Sequence, residues 1–163
     1  MAYTALPSTQ VENWDAEYND KAEDLRDEQN GGARQRLQRE MEELGEQIDA
    51  RLPLDIGKVR GYYAQHTQQV NTFLAEAQKL GKTAKSLVAK YKKDPKKTEY
   101  VAQIKLIATR LGTIDKAITD DANALGAAWF DYRSAVATHV PEKYKARFHA
   151  LRSTTMNESK ILS

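Results

Sequence analysis

From Asp55 to about Lys93 the chain repeats mostly apolar side chains every seven residues on two interleaved lines, and no other feature limits its fold so strongly. One line reads Ile56, Tyr63, Val70, Ala77, Ala84 and Tyr91; the other reads Val59, His66, Phe73, Leu80 and Leu87. These are the a and d positions of a heptad, which form a narrow seam along a helix that a second helix must cover. The sequence supplies that helix next. From about Pro95 to Val140 the same frame places Ile104, Leu111, Ile118, Leu125 and Tyr132 at a, and Ile107, Ile114, Asp121, Ala128 and Ala135 at d. Two long helices on either side of Pro95 predict an antiparallel hairpin, each arm roughly 55–60 Å long at about 1.5 Å per residue. Asp94 followed by Pro95 suits an N-cap and first helical turn, so the link at the tip, near 93–97, is short. Antiparallel pairing then sets Leu87 against Ile104, Leu80 against Leu111, Phe73 against Ile118, His66 against Leu125 and Val59 against Tyr132.

Glycine and proline punctuate the remainder. Ser8 can cap an acidic helix that carries Trp14, Tyr18 and Leu25 and stops before Asn30, Gly31 and Gly32. A second amphipathic helix, Ala33 to about Leu52, carries Leu37, Met41, Leu44 and Ile48 and ends at Pro53. The e positions of the hairpin are also largely apolar: Leu74 and Val88 on one arm, Val101, Ala108, Ala122 and Trp129 on the other. A seam only two helices wide leaves these in water, so the 33–52 helix is expected to lie along the hairpin and cover them. Beyond Pro141, Tyr144, Phe148 and Leu151 form a short helical stripe, while 153–163 shows no pattern and reads as a mobile or partner-bound tail. The expected fold is all-α: an elongated antiparallel helical bundle built on a long two-helix coiled-coil hairpin, about 55–93 and 95–140. Shorter N-terminal helices pack along it, and residues 1–152 form one domain.

Charge is polarised along the chain. Residues 1–57 hold fourteen acidic and six basic side chains, a net −8, whereas 58–163 hold nine and nineteen, a net +10. The sharpest excess comprises Lys79, Lys82, Lys85, Lys90, Lys92, Lys93, Lys96 and Lys97, opposed within that stretch by Asp94 alone. At the tip of a hairpin such a cluster is either a solvated turn or a contact for an anionic protein or membrane surface. A nucleic-acid groove fits less well, because the cations are all lysine and the nearby Tyr91 and Tyr100 are assigned mainly to the seam.

The sequence offers little for catalysis. It has no cysteine, no glycine-rich phosphate loop, no nucleophile elbow and only three histidines, none four residues from another. His66 occupies a core position one layer from Asp121 on the facing helix, so the two form a candidate buried polar pair that pins the register of the seam. Gly45 and Gly112, single glycines within helical patterns, read as points of close approach between helices. Trp129 and Phe130 are adjacent on a helix and point about 100° apart, so Phe130 needs a cover or a partner. No metal, cofactor or catalytic residue is expected. No run of about 18 apolar residues exists and the first ten residues lack a signal-peptide pattern, so the chain reads as not transmembrane, cytoplasmic or exported without a cleavable signal. The expected function is non-enzymatic: binding another macromolecule through helix faces or the hairpin, as an adaptor, secretion-associated or structural component. The alternative is electrostatic binding of an anionic membrane or nucleic acid at the lysine tip. Self-association through exchange of the first helix is a third route.

Overall fold

The computed structural model describes residues 3–162, with side chains through Ser153. The described residues are all-α, with helices α1 Thr9–Asp27, α2 Gly31–Lys93, α3 Glu99–His139 and α4 Glu142–Leu162. Helices α2 and α3 make the long hairpin. Every a and d residue of the heptad frame is buried or half-buried in it, and none is exposed.

Two boundaries differ from the sequence reading. Pro53 does not end a helix: α2 passes through it and continues for 63 residues, about 95 Å. A proline inside a helix removes one backbone hydrogen bond and costs about 3 kcal/mol locally. Here the residues on either side belong to one buried stripe, Ile48, Leu52, Ile56 and Val59, all of them essentially inaccessible to solvent. Arg51 also reaches across the proline to Asp55, its Nε 3.2 Å from each carboxylate oxygen. Continuous burial outweighs the local breaker. As a result the 33–52 segment extends the long helix instead of folding back along it, and only α1 precedes the hairpin as a separate N-terminal helix.

The second difference is at the tip. Asp94 caps the end of α2, its backbone N–H donating to the Lys90 carbonyl at 3.0 Å, and α3 starts at Glu99. Proline disfavours helical geometry in the residue before it, and Asp94 has left that region, with φ −141° and ψ 76°. The connection is thus Asp94–Thr98, with Pro95 in the turn rather than in the first turn of α3.

At the other end, α1 and α4 flank the pair and build a base. Helix α1 runs beside the end of α3: Leu6 N donates to Ala128 O at 2.8 Å and His139 Nδ1 lies 3.1 Å from Asp15 Oδ2. It continues antiparallel to α2, where Lys21 donates to Glu40 at 3.0 Å. Helix α4 turns back at Pro141 and runs alongside α2 toward the hairpin. Tyr144 lies directly over Gly45, leaving no room for a Cβ there, Phe148 lies 6.2 Å from the Tyr132 ring, and Arg152 lies over Trp129. Gly45 is a point of close approach, as its sequence context implies; Gly112 is not, since a Cβ there meets open space. The core is concentrated in this base: Trp14, Ile48, Leu52, Trp129, Tyr132 and Phe148 belong to one buried cluster. From the His66–Asp121 layer, where Thr67 is still buried, the hairpin extends about 40 Å to Lys93, and its tipward part projects beyond the base as a two-helix arm. The backbone of α4 is helical through Leu162, about ten residues beyond the Tyr144–Leu151 stripe, while side chains from Thr154 onward and all of Ser163 lie outside the described residues.

Candidate functional site

The arm has two unlike flanks, and the heptad frame says which residues form each. On the flank of the g positions, Glu76 of α2 and Arg110 of α3 form a two-pronged ion pair, Nε to Oε1 2.7 Å and the terminal nitrogen to Oε2 2.9 Å. That hydrogen bonding holds the Glu76 carboxyl below its usual range and the Arg110 guanidinium above its own. Nearer the base the same flank is taken by α1, where Glu12 and Ser8, just before the helix, share a cleft with Asp131 and Ser134 of α3.

The flank of the e positions is closed at the base and as far as Thr67. There Trp129 is buried beneath α4, with the Arg152 guanidinium 5.9 Å and the Arg133 guanidinium 5.1 Å from its ring centre. Toward the tip the cover ends. Leu74 is 45% exposed and Val88 39% exposed, Ala108 and Ala122 are exposed, and Val101 is half-buried. The covering helix anticipated for these positions is absent because α2 runs straight through Pro53. Lys85, Lys92 and Lys105 are exposed and sit three or four residues from Val88 or Val101, on the same side of their helices. Lys105 lies outside the lysine cluster of the sequence reading; its i+4 spacing from Val101 is the signal that places it here.

All eight lysines of that cluster, Lys79, Lys82, Lys85, Lys90, Lys92, Lys93, Lys96 and Lys97, are exposed. Lys97 lies 6.0 Å from the ring centre of Tyr100. Phe130 is 53% exposed and belongs to the base, with the Arg133 guanidinium 5.4 Å from its ring centre. About 45 Å of α3 separate it from the tip, so the two parts of the sequence-predicted partner surface are not brought together.

His66 and Asp121 do meet: Nδ1 lies 2.5 Å from Oδ2 across the seam, with the carboxylate side chain 7% exposed. A third group, missed by the heptad reading, joins them. The Tyr3 hydroxyl donates to the same Asp121 oxygen at 2.7 Å. Residues 3–6 form a strap held there by Tyr62, whose hydroxyl donates to the Thr4 carbonyl at 2.6 Å, and by the Tyr3–Tyr62 ring contact at 5.3 Å. The cluster is a packed joint where the arm leaves the base, with Tyr3 and His66 converging on one carboxylate oxygen. A second buried carboxylate, Asp55, is held by Arg51 next to the Tyr132 phenol.

Burial raises the pKa of both phenols, reinforced by Asp55 at Tyr132 and by Asp121 at Tyr3. In the unfolded chain tyrosine ionises near pH 10. A group with a raised folded pKa contributes stability that is present below the unfolded value and lost as pH rises above it. The unfolding free energy from urea titration should therefore hold between pH 7 and 9 and fall above about pH 10, by up to about 1.4 kcal/mol per pH unit for the buried Tyr132 phenol, with less from the partly exposed Tyr3. A stability unchanged from pH 8 to 11 contradicts the buried placement of the Tyr132 ring.

Among the described residues no three His, Asp or Glu side chains are grouped to hold a metal, and no helix is long and apolar enough to cross a membrane. A groove along the outer face of α2, lined by Ala64, Thr67, Asn71, Thr72 and Ala75, offers the Asn71 amide, while the Thr72 hydroxyl donates to the Gln68 carbonyl and the acid at its edge, Glu76, is already engaged by Arg110. No known protein family, curated protein or solved structure matches the chain.

Proposed function

We propose that this protein is a non-enzymatic interaction protein whose projecting arm engages another macromolecule. The observation that carries this reading is the open flank of the arm. The base completes its core with four helices, whereas the arm leaves Leu74 and Val88 in water along a line that nothing else in the described chain uses. Isolated exposed apolar residues are ordinary; several in register on one flank of a two-helix element are the pattern of an unfilled interface.

The test is a pull-down from the native source with the full chain as bait. Two arm variants are run beside it, Leu74→Glu with Val88→Glu and Lys93→Glu with Lys96→Glu and Lys97→Glu, together with a base-surface control, Glu43→Lys. The reading expects a partner held by the wild type and the control and lost from at least one arm variant. Identical capture by all four baits refutes it.

A second reading has its own observation: the eight exposed lysines of the cluster form no ion pair among the described residues. Under that reading the tip docks on an anionic bilayer. The protein should then bind vesicles containing phosphatidylserine at 50 mM salt, release them at 300 mM, and lose binding in the tip variant. No binding at 50 mM salt removes this alternative.

A further inference from the structure

We infer that the open flank of the arm is a docking site for an acidic amphipathic helix of a partner protein, laid end to end with α4. The inference rests on the interaction reading above and names the chemistry of the partner.

Three observations select a helix of that charge. First, the site continues an interface already present. In the base the e flank is covered by a helix, α4, which runs beside α2 toward the arm and covers Trp129. Leu74, Val88, Val101 and Ala108 prolong the same line beyond it. An element that buries them occupies the groove between two antiparallel helices, where a third helix fits by its own apolar stripe. Second, the middle of the strip is low: Gly81 of α2 and Gly112 of α3 have no atom near an added Cβ, and Ala108 lies one turn before Gly112, so a helix can approach closely there. Third, the border is cationic. Lys85, Lys92 and Lys105 border the Val88–Val101 end of the strip on both helices, and Asp115, opposite Leu74, is the single acid at its e positions. Glutamates flanking the apolar stripe of an incoming helix meet these lysines, whereas a basic helix is repelled. The other flank is crossed by the Glu76–Arg110 ion pair and presents Leu106, 70% exposed, without a lysine-bordered apolar line at its g positions. A second copy is a poor occupant of the same strip, because it brings an equally lysine-bordered surface to it.

The probe is a fluorescein-labelled peptide of three heptads with leucine at a and d and glutamate at e and g. A matched peptide with lysine at e and g is the comparison. Binding to the full-length protein is followed by anisotropy at 50 mM salt. The acidic peptide should bind at least tenfold more tightly than the basic one. Its affinity should fall at least tenfold with Leu74→Ser plus Val88→Ser, and again with Lys85→Glu plus Lys92→Glu plus Lys105→Glu. It should change less than threefold with Lys93→Glu plus Lys96→Glu plus Lys97→Glu at the tip. All these positions are exposed or half-exposed, and matching far-UV helicity identifies variants that remain folded.

No binding of the acidic peptide, equal binding of both peptides, or equal loss in the tip and flank variants overturns the inference. So does a molecular mass that doubles with concentration and reverts to monomer in the Leu74→Ser, Val88→Ser protein, which assigns the flank to a second copy. Vesicle binding abolished by the flank lysine variant assigns it to lipid and overturns it likewise. The interaction reading itself stands or falls separately, on whether arm variants lose the partner in the native-source pull-down.

Discussion

Phe148→Ala is expected to loosen α4 from the base at a cost of about 3–5 kcal/mol. The ring is fully buried, and it packs against Tyr132, itself essentially inaccessible. Truncation removes the apolar burial and leaves a cavity between α3 and α4 that helices fixed by other contacts cannot close. A domain of this size has a net stability of about 5–15 kcal/mol, so the loss is a large share of it. The effect should be local first. The described anchors of α4 besides Phe148 are Tyr144 at Gly45, Leu151 at the edge of the core and Arg152 over Trp129. Opening of α4 should thus expose the Val140–Pro141 corner to protease and move Trp129 emission to longer wavelength before the hairpin melts. Arg147→Ala, at an exposed neighbouring position, should stay within about 0.5 kcal/mol of the wild type. If the two variants unfold at the same urea concentration, α4 is not held by this ring.

The seam of the hairpin was legible because a period of seven is a property of the sequence alone: each residue from Ile56 to Leu87 and from Ile104 to Ala135 that the frame selected is covered in the fold. Pro53 was misread for the opposite reason. Its local penalty is visible in the sequence, whereas the burial of Ile48, Leu52 and Ile56 that offsets it depends on α1, α3 and α4 arriving around it. The open flank follows from that error. The e positions were correctly seen to exceed what two helices can bury, but the helix assigned to cover them is the continuation of α2, so Leu74 and Val88 remain exposed. Tyr3 had no periodic signal at all. It acts through a non-helical strap whose partners, Asp121 and Tyr62, are distant in sequence. The lysines were legible as a cluster; which of them border an apolar strip depends on helix faces, and this joins Lys105 to Lys85 and Lys92 while leaving Lys93, Lys96 and Lys97 at the end of the arm.

Asp121→Ala should cost about 3 kcal/mol or more, because one change strips the acceptor from two buried or half-buried donors. Its Oδ2 receives the Tyr3 hydroxyl at 2.7 Å and faces His66 Nδ1 at 2.5 Å. Tyr3→Phe removes only one of these and should cost about 1 kcal/mol, since the carboxylate keeps its histidine. The decisive comparison is the double substitution His66→Leu with Asp121→Leu. Buried polar pairs are costly to break and often neutral to replace, as an apolar layer needs no desolvated partners. The double variant should recover most of the loss seen in Asp121→Ala, giving a coupling energy above about 1 kcal/mol in a double-mutant cycle. What it should not recover is the fixed alignment of the arm. A seam of aliphatic layers alone tolerates slippage, whereas one polar pair at a single level makes every shifted alignment bury an unpaired group. Amides of α2 and α3 beyond this layer should exchange faster in the double variant than in the wild type, although its urea midpoint is similar. Equal exchange in both proteins would show that the pair contributes packing and hydrogen bonds to the joint without setting how the two helices of the arm align.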